Sequence, residues 1–301
     1  MIIFADKKEK TYSSNGLLHG PAAIIADFDQ HDIALNAAGI ELAHRFSDTE
    51  RKTIRFESRN NYDYFLIYVP DFIHPKTDPA LIEIYITKEF LVVLGDNPLM
   101  ESWKKALVAN DLDNTLPAQM LSLLLNQIML QNHGLLEKIE DEIEKLEEYT
   151  TQKNPGNYSK TFTSLLKRLL NIKRYFEALY DMLEDLEENR NNLFSSEQLS
   201  LFRAHKNKVN RKFNNVINLR DYLSQVHGAY QNQLDISLNN TMSFFTVITS
   251  IFLPLTLLVG WYGMNLQMPE IVFKITYPIV IVVSVVYVIL ALIFAKKKGW
   301  L

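Results

Sequence analysis

The sequence contains no cysteine among its 301 residues, which excludes disulfide bonds and thiolate metal sites. It also lacks a basic excess, because 31 lysine and arginine residues stand against 35 aspartate and glutamate residues. A basic surface for nucleic acid is therefore not indicated, and no nucleic-acid partner is expected. The first residues show no long apolar run behind a basic start, so no cleaved signal peptide is expected.

Charge is absent from residues 236–269, which contain no Asp, Glu, Lys, Arg or His. The run exceeds the roughly 20 apolar residues that a helix needs to cross about 30 Å of hydrocarbon, so it predicts a transmembrane helix. It carries a polar stripe whose members recur at steps of three and four and share one helical face. The polar stripe consists of Asn239, Met242, Thr246, Thr249, Leu253, Thr256 and Gly260. Because polar groups at membrane depth need a partner or water, the stripe indicates either a helix interface or a water-filled path.

The end of this run carries the most specific motif in the chain. Pro254 interrupts the helical hydrogen bonds, Trp261 suits the membrane interface, and Gly263 suits a left-handed helix end. The motif itself is the tetrad Tyr262-Gly263-Met264-Asn265, preceded by Pro254-Leu255-Thr256 and followed by Met268-Pro269-Glu270. In this position it resembles the signature of the CorA-type magnesium transporter family.

The resemblance implies a divalent cation channel that takes up Mg²⁺ through a homopentameric pore in the cell membrane. It places Tyr262, Gly263, Met264 and Asn265 at the outer selectivity entrance, with Asn265 contacting the ion through its bound water, and Glu270 in the external loop. Counted back from the tetrad, the family's pore-facing positions fall on Asn239, Met242, Phe245, Thr249, Leu253, Thr256 and Gly260. This set nearly coincides with the polar stripe. Mg²⁺ is then the transported ion.

The sequence departs from the family pattern in two respects. Phe245 is larger than the aliphatic residue usual at this position, which predicts a tighter hydrophobic gate in the pore. Phe245→Ala would open this gate and raise the basal flux of ions. Relatives sense cytoplasmic Mg²⁺ through carboxylates between subunits, and these positions fall here on Ala204 and Asn207, with only Glu41 near the opposing site. We therefore expect weak inhibition by Mg²⁺, which a steep block at low-millimolar Mg²⁺ would contradict.

The sequence pattern of the rest of the chain, with the two membrane spans, predicts an α+β membrane protein. Short segments rich in β-branched and aromatic residues predict strands over 53–58, 62–69, 81–87 and 90–94, and Asp96 or Asn97 is expected to cap a helix beginning at Pro98. The expected divisions are a cytoplasmic α/β domain (1–112), a cytoplasmic helical hairpin and stalk (113–235), a pore-lining helix (236–265), an external loop (266–274), a second transmembrane helix (275–295) and a basic tail (296–301).

The cytoplasmic helices are predicted from apolar periodicity. One stripe, within a segment that runs to Tyr149, consists of Leu121, Leu125, Ile128, Asn132, Leu135, Ile139, Ile143 and Leu146. A second helix is expected over 159–189, antiparallel to the first, and a third from Ser196 continuously into the membrane. The acidic residues of the hairpin are either a solvated face or a surface that gathers divalent cations.

Two further groups of charged residues require interpretation. The basic residues Arg203, Lys206, Lys208, Arg211 and Lys212 are interpreted as partners of the acidic hairpin. The group Asp27, Asp29, His31 and Asp32 is interpreted as a helix cap with solvated neighbours, because its spacing fits neither a calcium loop nor a zinc site.

Topology follows from the second span. Lys296, Lys297 and Lys298 follow it directly, which predicts a cytoplasmic C-terminus and, after two spans, a cytoplasmic N-terminal part. Two alternatives to Mg²⁺ uptake remain open: transport of Zn²⁺, Co²⁺ or Ni²⁺, and a membrane-anchored helical scaffold or sensor. An enzyme is not expected, because no nucleophile elbow or phosphate loop is present.

Overall fold

The computed structural model describes residues 1–5, 8–11, 21–41, 53–72, 78–95, 97–109, 117–149, 157–264 and 275–299. The chain divides into two compact units, which are described separately. The first comprises Met1–Tyr149 and Pro155–Ser224, and the second is formed mainly by Gln225–Leu301.

The first unit contains a seven-stranded mixed sheet. In chain order its strands are β1 (Ile2–Ala5), β2 (Lys8–Thr11), β3 (Ala22–Ala26), β4 (Arg55–Ser58), β5 (Asp63–Val69), β6 (Ala80–Ile86) and β7 (Phe90–Leu94). The spatial order is β2-β1-β3-β7-β6-β5-β4. Only the central pair, β3 with β7, is parallel among the described strands. The four strands predicted from the sequence are thus confirmed as one antiparallel meander, β4 to β7.

The centre of the sheet is buried on both faces. Every residue of β3 and of β7 is buried, so these strands read as continuous apolar runs without polar alternation. On one face, α1 (His31–Ala37) contributes Ala34 and Leu35 to the core cluster, beside Ile24 and Val92 of the sheet. This core holds α1 against the sheet.

Four more helices complete the first unit before the long helix: α2 (Pro98–Ala109), α3 (Pro117–Gln131), α4 (Leu135–Glu148) and α5 (Tyr158–Glu187). Asn97 caps α2 as predicted, because its Oδ1 accepts the Met100 amide at 3.2 Å. Trp103 of α2 is fully buried and donates its indole N–H to the Met120 carbonyl of α3 at 3.2 Å. The indole therefore joins α2 to α3.

The helical segment predicted to run without a break to Tyr149 is in fact two helices, α3 and α4. The break occurs at Gly134, which has a φ of 72°, in the left-handed region that favours glycine. All eight residues of the predicted stripe are nevertheless buried. The apolar pattern identified the buried face correctly, because that face continues across the turn.

Two long helices follow: α6 (Ser196–Tyr262, 67 residues) and α7 (Thr276–Lys297). The start of α6 is a capping box, in which the Gln198 amide donates to Ser195 Oγ at 3.3 Å and the Ser195 amide donates to Gln198 Oε1 at 2.9 Å. The prediction of one continuous helix from Ser196 into the apolar run is confirmed.

Asp63, at the start of β5, is a buried carboxylate that helps hold the loop before α6. Its Oδ1 accepts hydrogen bonds from Ser58 Oγ and from Asn191 Nδ2, both at 2.8 Å. Its Oδ2 has no partner among the described residues. Burial raises the pKa of Asp63 above the ordinary value of 3.8, although the two hydrogen bonds oppose this shift.

Asp63→Asn is expected to flatten the pH dependence of stability in mild acid. Because the folded-state pKa is raised, Asp63 is protonated in the folded protein at pH values where it is ionised in the unfolded chain. The resulting contribution to the free energy of unfolding is fully present below about pH 3.8 and is lost as the pH rises through the raised pKa. The measurement is the midpoint of urea unfolding between about pH 4 and pH 7. Asp141→Asn, at an exposed position on α4, serves as the control. An unchanged slope in Asp63→Asn would contradict the assignment.

Candidate functional site

The second unit contains two helices that are long and apolar enough to cross a membrane, the C-terminal part of α6 and α7. Both carry large exposed apolar side chains, such as Leu253 at 66% and Val282 at 61% exposure. Such surfaces are unfavourable in water and favourable in hydrocarbon. The two helices therefore fit the two predicted spans.

Within this unit, α6 has a covered side and an open side. The residues of the covered side are buried or half-buried: Ser243, Val247, Ile248, Ile251, Pro254, Leu255 and Leu258. The matching residues of α7 are Thr276, Val280, Ser284, Tyr287, Val288, Ala291 and Ala295. Most of the α7 set are small or polar, which allows close helix contact in a membrane. The second span therefore packs on the first through one face and exposes its larger apolar residues elsewhere.

The polar stripe and Phe245 lie on the open side of α6. All eight residues are exposed in this unit. At 3.6 residues per turn, their mean direction is about 165° around the helix from the covered side. The stripe therefore does not serve the contact between α6 and α7, and it remains available to a further helix or to a water-filled path.

The hydroxyl groups of the stripe are partly satisfied by the helix itself. Thr246 Oγ1 donates to the Met242 carbonyl and Thr249 Oγ1 donates to the Phe245 carbonyl, both at 2.8 Å. Each hydroxyl oxygen keeps its capacity to accept a hydrogen bond from outside. The stripe can thus present oxygen acceptors without leaving buried polar hydrogens unpaired.

Pro254 explains a side-chain hydrogen bond between the two helices. In an unbroken helix the Ser250 carbonyl would accept the amide of residue 254, but proline has no N–H. Instead, Tyr287 Oη of α7 donates to the Ser250 carbonyl at 2.7 Å. A proline inside a membrane helix signals that the carbonyl four residues earlier needs another partner, but no sequence pattern identifies Tyr287 as that partner.

Tyr287→Phe is expected to weaken the contact between α6 and α7 by about 1 kcal/mol, a common value for a hydrogen bond between membrane helices. In a Pro254→Ala background the Ser250 carbonyl regains its helical amide, so the same change should cost almost nothing. The measurement is a double-mutant cycle on unfolding of the detergent-solubilised protein. Equal costs in the two backgrounds would contradict this account.

The end of α6 departs from one expectation. Gly263 is not left-handed, since its amide continues the helix by donating to the Val259 carbonyl at 2.8 Å. A Cβ added there would lie 3.0 Å from the same carbonyl oxygen. Close approach, not a positive φ, accounts for glycine here. Tyr262 and Met264 are exposed, whereas Asn265, Glu270 and the rest of the predicted external loop lie outside the described residues.

The basic residues of α6 divide into two groups. Arg203 Nε and Lys206 Nζ contact the carboxylate of Glu187, at the end of α5, at 2.6 and 2.5 Å. These two contacts confirm part of the predicted pairing with the acidic hairpin. Lys208, Arg211 and Lys212 make no ion pair with a described residue, although the Glu137 carboxylate of the hairpin acts on the charge of Lys212. They line a groove against α3 instead.

Acidic residues of α4 lie beside α6. Tyr222 Oη donates to Glu147 Oε2 at 2.5 Å. This bond and the nearby carboxylates of Glu144 and Glu140 raise the pKa of Tyr222 to about 12. The carboxylates of Glu140, Glu144 and Glu147 on α4 are therefore concentrated near Tyr222 of α6.

The remaining candidates are the group around His31 and the three residues Ala204, Asn207 and Glu41. His31 turns inward, with Nε2 at 3.2 Å from Tyr85 Oη, and Nδ1 at 3.0 Å from Asp32 Oδ1. Ala204 and Asn207 are exposed on α6, and Glu41 is exposed after α1. Within the described residues, no group of three or more His, Asp or Glu side chains could hold a metal ion.

Comparison with known proteins gives a consistent result. The family model described as "CorA-like Mg2+ transporter protein" matches residues 35–297. The cobalt/magnesium transport protein CorA of Thermotoga maritima is 32% identical over 168 residues, which are 56% of this chain and 48% of that protein. The putative metal ion transporter YfjQ of Bacillus subtilis is 26% identical over 80% of this chain and 77% of its own length.

A solved structure extends the likeness to almost the whole chain. The CorA magnesium transporter of Methanocaldococcus jannaschii superposes with a TM-score of 0.78, at 19% identity, over 97% of this chain and 96% of its own. At that identity the likeness concerns the fold. It includes the mixed α/β N-terminal part, the long helices and the two apolar C-terminal helices.

Proposed function

The chain belongs to the CorA-like Mg²⁺ transporter family, and on that basis we propose that it is the subunit of a channel that takes up divalent cations, chiefly Mg²⁺. The observation that carries the proposal is the position of the polar stripe on the side of α6 opposite to its contact with α7. A helix that served only as an anchor would have no use for Asn and Thr residues on that side.

The proposed path works on a hydrated ion. Mg²⁺ loses its water reluctantly, and stripping it would require several carboxylates, whereas the stripe contains none. Neutral oxygens of Asn239, Thr249 and Thr256 can hydrogen-bond the water shell and release it again, which conduction requires. Asn265 would do the same at the outer entrance. One subunit supplies one oxygen at each level, so a symmetric ring of subunits is needed, and the family resemblance favours five.

The proposed orientation places both termini in the cytoplasm. Lys296, Lys297 and Lys298 follow α7 directly, and lysines beside a span favour the cytoplasmic side. The membrane potential would then drive entry. Each elementary charge gains about 2.3 kcal/mol per 100 mV, and a divalent cation gains twice as much.

The test is Mg²⁺ uptake into liposomes that contain the purified full-length chain, with an imposed inside-negative potential and a Mg²⁺-sensitive dye inside. We expect uptake above that of empty liposomes, reduced when the potential is collapsed. Uptake of Co²⁺, Ni²⁺ or Zn²⁺ without Mg²⁺ uptake would support the alternative ion preference, for which the cobalt/magnesium relative is a reason. Absence of all divalent flux would favour the scaffold alternative.

A further inference from the structure

The strongest unassigned feature of the first unit is the groove beside the middle of α6. It has a volume of about 490 Å³, and Lys208, Arg211 and Lys212 of α6 line it together with His133 of the turn between α3 and α4. None of the three cations makes an ion pair with a described residue, in contrast to Arg203 and Lys206. We call this pocket the basic groove.

Lys212 is the cation that most favours an anionic occupant. It is half-buried, and this burial lowers the pKa of its ammonium group, only partly opposed by the Glu137 carboxylate. A desolvated cation without a contacting carboxylate gains more from a bound anion than an exposed one does.

A second pocket of about 380 Å³ adjoins the basic groove and shares His133, Lys212 and Asn215 with it. We call it the amide pocket, because Asn132, Asn215 and Asn218 line it. Asn132 is 3% exposed, and neither its amide nitrogen nor its amide oxygen has a hydrogen-bond partner in the described part of the chain. Buried amides almost always have partners, so this one indicates a polar ligand.

The charged side chains differ between the basic groove and the amide pocket. The basic groove has no carboxylate in its lining, whereas Glu137 and Glu140 line the amide pocket. The occupant should therefore be strongly anionic at one end and neutral, with hydrogen-bonding groups, at the other. Each hollow lies within the usual size of small-molecule sites.

From these observations we propose that the basic groove and the amide pocket together bind a nucleoside polyphosphate. Its phosphates lie on Lys208, Arg211 and Lys212, and its sugar and base lie against Asn132, Asn215 and Asn218. Guanidinium and ammonium groups bind phosphate by charge-assisted hydrogen bonds. An acidic helix of a second copy would match the cations but could not reach the buried amide of Asn132. A lipid headgroup is disfavoured, because about seven helical turns separate Lys212 from the start of the apolar run at Ile236.

The experiment measures ATP binding to the full-length protein in detergent, by calorimetry with EDTA present to remove divalent ions. Inorganic tripolyphosphate is the second ligand. The first variant is the triple change Lys208→Gln, Arg211→Gln and Lys212→Gln. Its matched control removes three exposed cations elsewhere, by Lys160→Gln, Lys167→Gln and Arg174→Gln. The second variant, Asn132→Leu, removes the unpartnered amide, and its thermal unfolding is recorded to verify the fold.

We expect saturable ATP binding that the triple groove variant weakens by about tenfold or more, with the control within about twofold. Asn132→Leu should weaken ATP binding and leave tripolyphosphate binding unchanged. Absence of saturable ATP binding, or equal weakening in the control triple variant, would overturn the site. Tripolyphosphate binding as tight as ATP binding would overturn the nucleoside assignment. None of these results depends on whether the chain transports Mg²⁺.

Discussion

Asn265→Ala is expected to reduce Mg²⁺ uptake into proteoliposomes to less than about a tenth of the native rate. The amide oxygen of Asn265 is proposed to hold the water shell of the ion at the outer entrance, and alanine offers no acceptor there. In the proposed ring of five subunits, five such oxygens are lost at once. Because the charge of the entrance does not change, the loss would report hydrogen bonding to the hydrated ion and not attraction by charge.

The control for this prediction is Gln267→Ala, which removes an amide two residues beyond the tetrad. It should transport at nearly the native rate. Native uptake in Asn265→Ala would refute the role assigned to the tetrad while leaving the channel itself untouched. Loss of uptake in both variants would indicate that any change in this segment disturbs the protein.

Thr249→Cys is expected to make Mg²⁺ uptake sensitive to a cationic thiol reagent. Thr249 lies on the open side of α6, and a tethered positive charge there would both narrow the path and repel a divalent cation. We expect the reagent to lower uptake by about tenfold or more. The native sequence contains no cysteine, so the unmodified protein gives no background reaction.

The matched control is Phe244→Cys. Phe244 is exposed on the same stretch of α6 but points about 160° away from the polar stripe. The reagent should leave its uptake unchanged. Stronger inhibition at position 244 than at position 249 would mean that the path runs along another side of the helix, and the proposed pore-lining set would have to be redrawn.

Local sequence patterns identified the parts of the fold that depend on local signals. The meander from β4 to β7 was predicted because its strands are rich in β-branched and aromatic residues, and Asn97 was predicted as a cap from its place before Pro98. Strands β1, β2 and β3 were missed. Three of the five residues of β3, Ala-Ala-Ile-Ile-Ala, are alanines, which are depleted in strands, and the segment is a strand because β1 and β7 pair with it on both sides.

Interactions that depend on three-dimensional packing were harder to predict. The break at Gly134 does not disturb the apolar stripe, so periodicity alone gave one helix where there are two. The basic residues of α6 were treated as one group, although only Arg203 and Lys206 lie within reach of Glu187. The polar stripe was predicted from spacing, but which side of α6 faces α7 required the structure.

The central parallel pair of the sheet has a consequence for the order of folding. Ala22 of β3 pairs with Phe90 of β7, so β3 cannot take its place until the chain through β7 has been synthesised. Strands β4 to β7 follow one another closely and can pair earlier. Until β7 emerges, the apolar strand β3 is an open sheet edge beside β1, and such an edge is a template for pairing with another chain. Aggregation during biosynthesis is therefore expected to begin at Ala22–Ala26, well before the membrane helices emerge.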